Sequence, residues 1–424
     1  MNLNHKILKN TSWMIGCRIV QAVLNLLISM LTARYLGPAN FGLISYAASI
    51  TAFAVPVMNL GINSILVNEF ISCPDREHEI LGTAISMTLG SSLLCILGIG
   101  AFVLVANPHE PETLAVCLLY SLALVAQSPE LVRYWFQARY LAKYTSLVML
   151  GAYALVSVYK VILLIQGRSV CWFAVANALD YTLISAALLI LYRRISGKWL
   201  SVSLEMARRL WRNGRYYIVS AMMVTVFAQT DRIMLKLMID ETAVAYYSAA
   251  VTVAGMTSFV FAAIIDSMRP AVLECVGRDQ QLFDSRMMKL YCVVIYLALV
   301  QSLVIALGAP LIIRVLYGEA FAGAVSALRI VVWYTTFSYL GAVRAVWILA
   351  KSLQKYLWII NLLGAILNVA LNWLLIPVWG INGAAAASLV TQVFANVILG
   401  FLIRPIRENN RLILRSLDIR CLRR

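Results

Sequence analysis

Residues 193–215, RRISGKWLSVSLEMARRLWRNGR, form the longest polar stretch of a 424-residue chain. On either side the sequence breaks into long apolar runs. Before it they fall near 11–33, 42–66, 81–106, 113–134, 145–166 and 170–192; after it, near 215–237, 243–268, 288–316, 323–350, 356–377 and 381–403. A membrane-spanning helix needs ~20 apolar residues at ~1.5 Å each, and every run is about that long. Spanning β-strands would be half the length and would alternate polar with apolar, which these runs do not. The expected fold is an all-α polytopic membrane protein. About twelve transmembrane helices form two six-helix lobes around a central cavity. The expected divisions are an N-terminal lobe over 1–200, a C-terminal lobe over 201–404 and a basic cytoplasmic tail over 405–424.

Composition agrees with a membrane class. Hydrophobic residues make up 62% of the chain and charged residues 13%, whereas soluble domains are about a quarter charged. The net charge of +16 does not point to nucleic acid, because the basic residues follow the loops. Connections after odd-numbered segments are short and nearly free of Lys and Arg. Those after even-numbered segments hold Arg139 and Lys143, then Arg193 to Arg215, Arg269 to Lys289, and Lys351 with Lys355. Basic loops stay inside, so both termini are expected in the cytoplasm of a multi-pass bacterial inner-membrane protein. The tail from Arg404 alternates basic residues with Leu and Ile and is expected to lie along anionic headgroups. Eight scattered cysteines without a C-x-x-C pair read as small apolar residues, and three dispersed histidines make no metal site. No cofactor is expected. Arg18, Gln21 and Asn25 interrupt the first segment, which is therefore expected to remain as a helix and not to be cleaved.

The halves echo each other. Arg34 to Ser49 aligns without gaps to Lys236 to Val251, and Leu163-Leu164-Ile165 matches Leu374-Leu375-Ile376. Repeated halves with a site between them are a recurring plan of secondary transporters. Pro56 and Gly61 in the second segment, Pro129 in the fourth and Pro310 in the ninth are expected to kink those helices. Gly380 to Gly383 and the alanines that follow give segment twelve a smooth packing face.

Ions inside a bilayer are costly and usually face a partner or water, so they nominate the site. Arg18, Gln21 and Asn25 share one face of segment one. Lys160 lies mid-segment five and Asp180 in segment six, about 11 and 18 Å deep by helical rise; they form either an ion pair or, for Lys160, an anion contact. Arg329, Trp333, Phe337 and Arg344 lie within ~60° of one face of segment ten. Guanidinium forks suit phosphate, and aromatic rings suit sugars. Glu130 with Arg133, Asp231 with Arg232, and Asp266 with Arg269 are candidate gate or helix-end ion pairs. Embedded cations outnumber embedded acids, which favours an anionic substrate.

The chain also resembles the bacterial polysaccharide (O-antigen type) flippases of the multidrug/oligosaccharidyl-lipid/polysaccharide exporter superfamily. The resemblance runs through Ala33-Arg34-Tyr35-Leu36-Gly37-Pro38-Ala39-Asn40-Phe41-Gly42, Trp135-Phe136-Gln137, Thr230-Asp231-Arg232-Ile233-Met234-Leu235, Leu316-Tyr317-Gly318-Glu319-Ala320-Phe321 and Ile376-Pro377-Val378-Trp379-Gly380-Ile381-Asn382-Gly383-Ala384. It implies alternating access and translocation of a polyprenyl-pyrophosphate-linked oligosaccharide to the outer leaflet. Lipid, the polysaccharide polymerase and the chain-length machinery are then the implied partners, with proton or sodium coupling left open. Ala138-Arg139 departs from the family, which commonly has glycine then an acid. A cation-coupled drug exporter of the same superfamily is the nearer alternative, expected to carry carboxylates in excess. A glycosyltransferase or polymerase would need a large outer loop, which the sequence lacks.

Overall fold

The computed structural model describes the backbone of residues 3–418 and their side chains except those of 3–15, 17–19 and 22. Every element there is helical. The first unit begins with α1 (Leu3–Met58), followed by α2 (Leu66–Ser72), α3 (Glu77–Ala106), α4 (Pro111–Gln127), α5 (Val132–Ala138), α6 (Ala142–Ile165), α7 (Val170–Ser196) and α8 (Leu204–Met238). After them come α9 (Glu241–Gly255), α10 (Ser258–Leu273), α11 (Gln280–Tyr317), α12 (Ala324–Ala350), α13 (Leu357–Trp379), α14 (Ile381–Val393), α15 (Leu399–Leu402) and α16 (Arg407–Arg415). Among the described residues, ten helical spans are long and apolar enough to cross a membrane. The protein is a multi-pass membrane protein.

The expected segments one and two run on as α1, which breaks at Gly37 (φ 71°, ψ 174°) just before Pro38. Only glycine takes that backbone without strain, so Gly37-Pro38 is the corner between two helices. Segment ten is α12; Arg329 and Arg344 lower its apolarity below that of the ten. Three expectations about kinks change in detail. Segment two stops at Met58, because Leu60 and Gly61 both take positive φ and turn the chain. Pro129 breaks segment four into α4, a 3₁₀ turn at Ser128–Leu131, and α5. Pro310 lies within the continuous 38-residue α11.

The chain divides into two compact units, residues 1–229 and 230–424, with the division inside α8. In the first, the connector after α7 and the start of α8 are strapped to α2, to the turn after it and to the start of α3. The Ser201 amide donates to the His78 carbonyl (3.3 Å) and the Ser203 amide to Thr83 Oγ1 (3.0 Å). Arg76 bridges Glu79 (2.7 Å) and Glu205 (3.4 Å), while Glu69 receives both Arg209 (2.8 Å) and Asn213 (2.9 Å). A Cβ on Gly61 would strike the Gly214 carbonyl, and one on Gly214 the Leu60 carbonyl, so glycine at both places permits this backbone approach. Met206 and Leu210 of α8 enter the core formed by Ile62, Leu66, Phe70, Trp135 and Tyr192.

In the second unit, Phe261 and Tyr339 stack at 3.9 Å beside Trp347, Tyr291 and Met287. The tail's apolar residues divide between this core and the surface, where Leu414 and Leu417 are exposed. Ile406, Leu412 and Ile413 are buried in this core, and Tyr291 donates to Asn409 (2.8 Å). Arg404, Arg407, Arg411 and Arg415 make the exposed face, so an amphipathic pattern that suits a headgroup layer serves protein packing here. Cys292 also departs from expectation: it is disulfide-bonded.

Candidate functional site

Pro129 removes a helical hydrogen bond and tightens the chain into a 3₁₀ turn, which is where the first polar cluster begins. Glu130, 2% exposed, binds Arg133 at 2.6 Å, and Arg133 also donates to the Tyr134 hydroxyl at 3.0 Å. The pair expected from i, i+3 spacing is formed. Asp180 on α7 and Lys160 on α6 lie within electrostatic range of each other, both half-buried. Neither a hydrogen bond nor a contact within 4.0 Å joins them among the described residues, and Asp180 Oδ1 is buried without a hydrogen-bond partner. On α1, Asn25 Oδ1 accepts from the Tyr153 hydroxyl of α6 (3.0 Å), and Gln21 is half-buried one turn earlier. The Arg18 side chain lies outside the described residues.

In the second unit the stripe on α12 runs from surface to core. Arg329 is exposed, Trp333 and Phe337 are half-buried, and Arg344 is 3% exposed. The two arginines therefore do not share one environment. Arg344 donates to the Ala395 carbonyl (2.7 Å) and Asn396 Oδ1 (2.8 Å), and Asn396 in turn donates to Gln392. Residues Phe394–Ile398 form a π-turn, a register change that commonly frees a carbonyl for such a donor. No carboxylate lies within 4.0 Å of the Arg344 guanidinium among the described residues, and its Nε is buried without a partner.

Asp231 and Arg232, adjacent on α8, each meet partners on other helices. Arg232 donates to Ser248 Oγ at 3.0 Å. Asp231, 4% exposed, accepts from the Tyr247 and Ser388 hydroxyls at one oxygen and from Asn372 Nδ2 (2.6 Å) at the other; Asn372 also donates to Asn368 (3.1 Å). This knot ties α8, α9, α13 and α14 together. Sequence reasoning missed Tyr247, Asn368, Asn372 and Ser388. The available signal was Asn368 and Asn372, one helical turn apart in an otherwise apolar run. Asp266 and Arg269 meet at 4.0 Å with both side chains largely exposed, a contact that contributes little.

Arg139, the departure noted in the sequence, reaches back to Glu77 (2.8 Å), which also accepts from the Trp135 indole (2.8 Å). These residues, with Tyr192 and Lys198, line a cavity of about 420 Å³. No group of three or more His, Cys, Asp or Glu among the described residues is placed to hold a metal ion. Chemically, the embedded cations Lys160 and Arg344 lack a bonded carboxylate among the described residues, whereas the buried acids Glu130 and Asp231 are fully engaged by donors.

Comparison with known proteins supplies the lineage. An inward-facing multidrug resistance MATE family transporter of the MOP superfamily superposes with a TM-score of 0.70 at 15% identity, over 93% of this chain and 96% of that one. The lipid II flippase MurJ in an inward closed conformation gives 0.77 at 13% identity, over 95% and 90%. Likeness at such identity establishes a shared fold. A sequence comparison with curated proteins gives no match. Residues 7–275 match the family described as "Polysaccharide biosynthesis protein", and the chain belongs to that family.

Proposed function

We propose that the protein flips a polyprenyl-pyrophosphate-linked oligosaccharide from the inner to the outer leaflet of the bacterial cytoplasmic membrane, by alternating access, for O-antigen or another surface polysaccharide. The observation that carries this reading is the state of Lys160: an ammonium in the last third of a spanning helix, half-buried, with no bonded counterion among the described residues. An embedded charge left this way is expensive unless it serves an anion or water. Family membership and the fold shared with a lipid II flippase support the same reading. The pyrophosphate would meet the embedded cation Lys160, sugars would cross through water, and the prenyl tail would stay in lipid. The polymerase and chain-length proteins would take the product. The drug-exporter alternative calls for carboxylates open to a cation. Glu130 and Asp231 are instead occupied by Arg133 and by three neutral donors, and Asp180, whose Oδ1 accepts no hydrogen bond, lies within electrostatic range of the Lys160 ammonium.

The test is replacement of Lys160 by methionine in the host strain. Surface polysaccharide should be lost while lipid-linked repeat units accumulate inside. Normal polysaccharide from K160M would refute the anion-contact reading.

A further inference from the structure

The first three turns of α8 border a cavity of about 670 Å³ lined by Leu204, Glu205, Arg208, Arg209, Arg212 and Asn213. Two of its charges are already spoken for. Arg209 is bound by Glu69 at 2.8 Å, and Glu205 is approached by Arg76 at 3.4 Å. Arg208 and Arg212 remain exposed, with no hydrogen bond or ion pair among the described residues. They are spaced i, i+4, so their guanidiniums lie on one face about 6 Å apart along the axis. Leu204 (69% exposed) shares that face and Trp211 (45% exposed) lies beside it, large apolar groups standing next to unneutralised cations. Such a pairing suits the level where headgroups meet hydrocarbon. The Glu69 and Arg76 contacts fix this part of α8 to the first unit, so the two forks are held ready rather than tethered loosely.

From this we infer that the cavity at the start of α8 is a binding site for a lipid-borne phosphate or diphosphate. Arg208 and Arg212 would grip the phosphoryl oxygens bidentately, and Leu204 with Trp211 would flank the attached chain. The site lies outside the set of residues assigned above to translocation and does not depend on that assignment.

Two sources carry this chemistry, an anionic phospholipid and a polyprenyl diphosphate. The detergent-solubilised full-length protein is titrated with phosphatidylglycerol, with polyprenyl diphosphate and with neutral phosphatidylcholine, and bound lipid is counted by native mass spectrometry. The double variant R208Q/R212Q should bind at least one of the two anionic lipids about thirtyfold more weakly, as expected for two basic residues at an anionic headgroup. Which lipid responds identifies the source. The charge-matched pair R278Q/K355Q, exposed in the second unit, should stay within about twofold of wild type for both. If the double variant does not fold, R208Q and R212Q singly should each lose about fivefold. Unchanged affinity for both anionic lipids, an equal loss in the control pair, or an equal loss for phosphatidylcholine would each overturn the site.

Discussion

Replacing Asp231 by alanine takes the acceptor away from three buried donors at once: the Tyr247 and Ser388 hydroxyls and Asn372 Nδ2. A buried donor left unpaired costs about 1–3 kcal/mol. Side-chain hydrogen bonds between membrane helices average only ~0.6 kcal/mol, because the unfolded reference also finds partners. Three stranded donors around a carboxylate that is 4% exposed therefore place D231A between those limits, about 4 kcal/mol less stable than wild type. D231N keeps the shape and one acceptor oxygen, so it should lose about half as much. Y247F removes one donor and leaves the carboxylate two others, so its loss should be about 1 kcal/mol. For a unit of this size each kcal/mol is worth ~2–4 °C, which gives a fall of roughly 8–16 °C for D231A. Tryptophan fluorescence during heating of the purified protein in detergent reads the order D231A, D231N, Y247F directly. A D231A melting point within ~2 °C of wild type would refute the reasoning, as would D231N melting below D231A.

Other predictions follow from separate parts of the molecule. Arg133→Ala leaves the Glu130 carboxylate buried without its counterion and should destabilise the fold by about 3–5 kcal/mol; adding Glu130→Gln should restore most of it, checked as a double-mutant cycle. Gly61→Ala should cost ~2 kcal/mol or more, since φ is 68° and the new Cβ meets the Gly214 carbonyl, and it should lower the melting point. Glu69→Ala releases both Arg209 and Asn213, so limited trypsin digestion should cut after Arg208, Arg209 or Arg212 faster than in wild type. Arg344→Lys keeps the charge but cannot reproduce the planar fork that meets the Ala395 carbonyl and Asn396, so it should melt at a lower temperature than wild type.

Helical spans were legible because a bilayer requires long apolar runs, and ten helical spans among the described residues are long and apolar enough to cross a membrane. The corner at Gly37-Pro38 and the break at Pro129 were legible for backbone reasons: one needs φ above zero and the other lacks an amide donor. The Glu130–Arg133 pair followed from spacing alone. Partnering across helices did not. Asp231 was read beside its sequence neighbour Arg232, yet its ligands come from Tyr247, Asn372 and Ser388, and no periodicity identifies which turn of α13 or α14 faces α8. Arg329 and Arg344 share a face of α12, but burial depends on what covers each end of it. The Ala395 carbonyl that meets Arg344 lies in a π-turn, and a π-turn leaves little trace in sequence. In the tail, Ile406, Leu412 and Ile413 carry the pattern of an amphipathic helix, which does not distinguish a lipid surface from a protein core.

The most direct test of the central claim uses the purified protein in proteoliposomes loaded with a lipid-linked oligosaccharide in both leaflets. A membrane-impermeant glycosidase added outside reports how much substrate becomes accessible over time. Complete digestion with wild-type protein, and digestion halted at the outer-leaflet half with K160M or with empty liposomes, is the predicted outcome. Wild-type vesicles that stop at the outer-leaflet half under an imposed proton or sodium gradient would contradict the account.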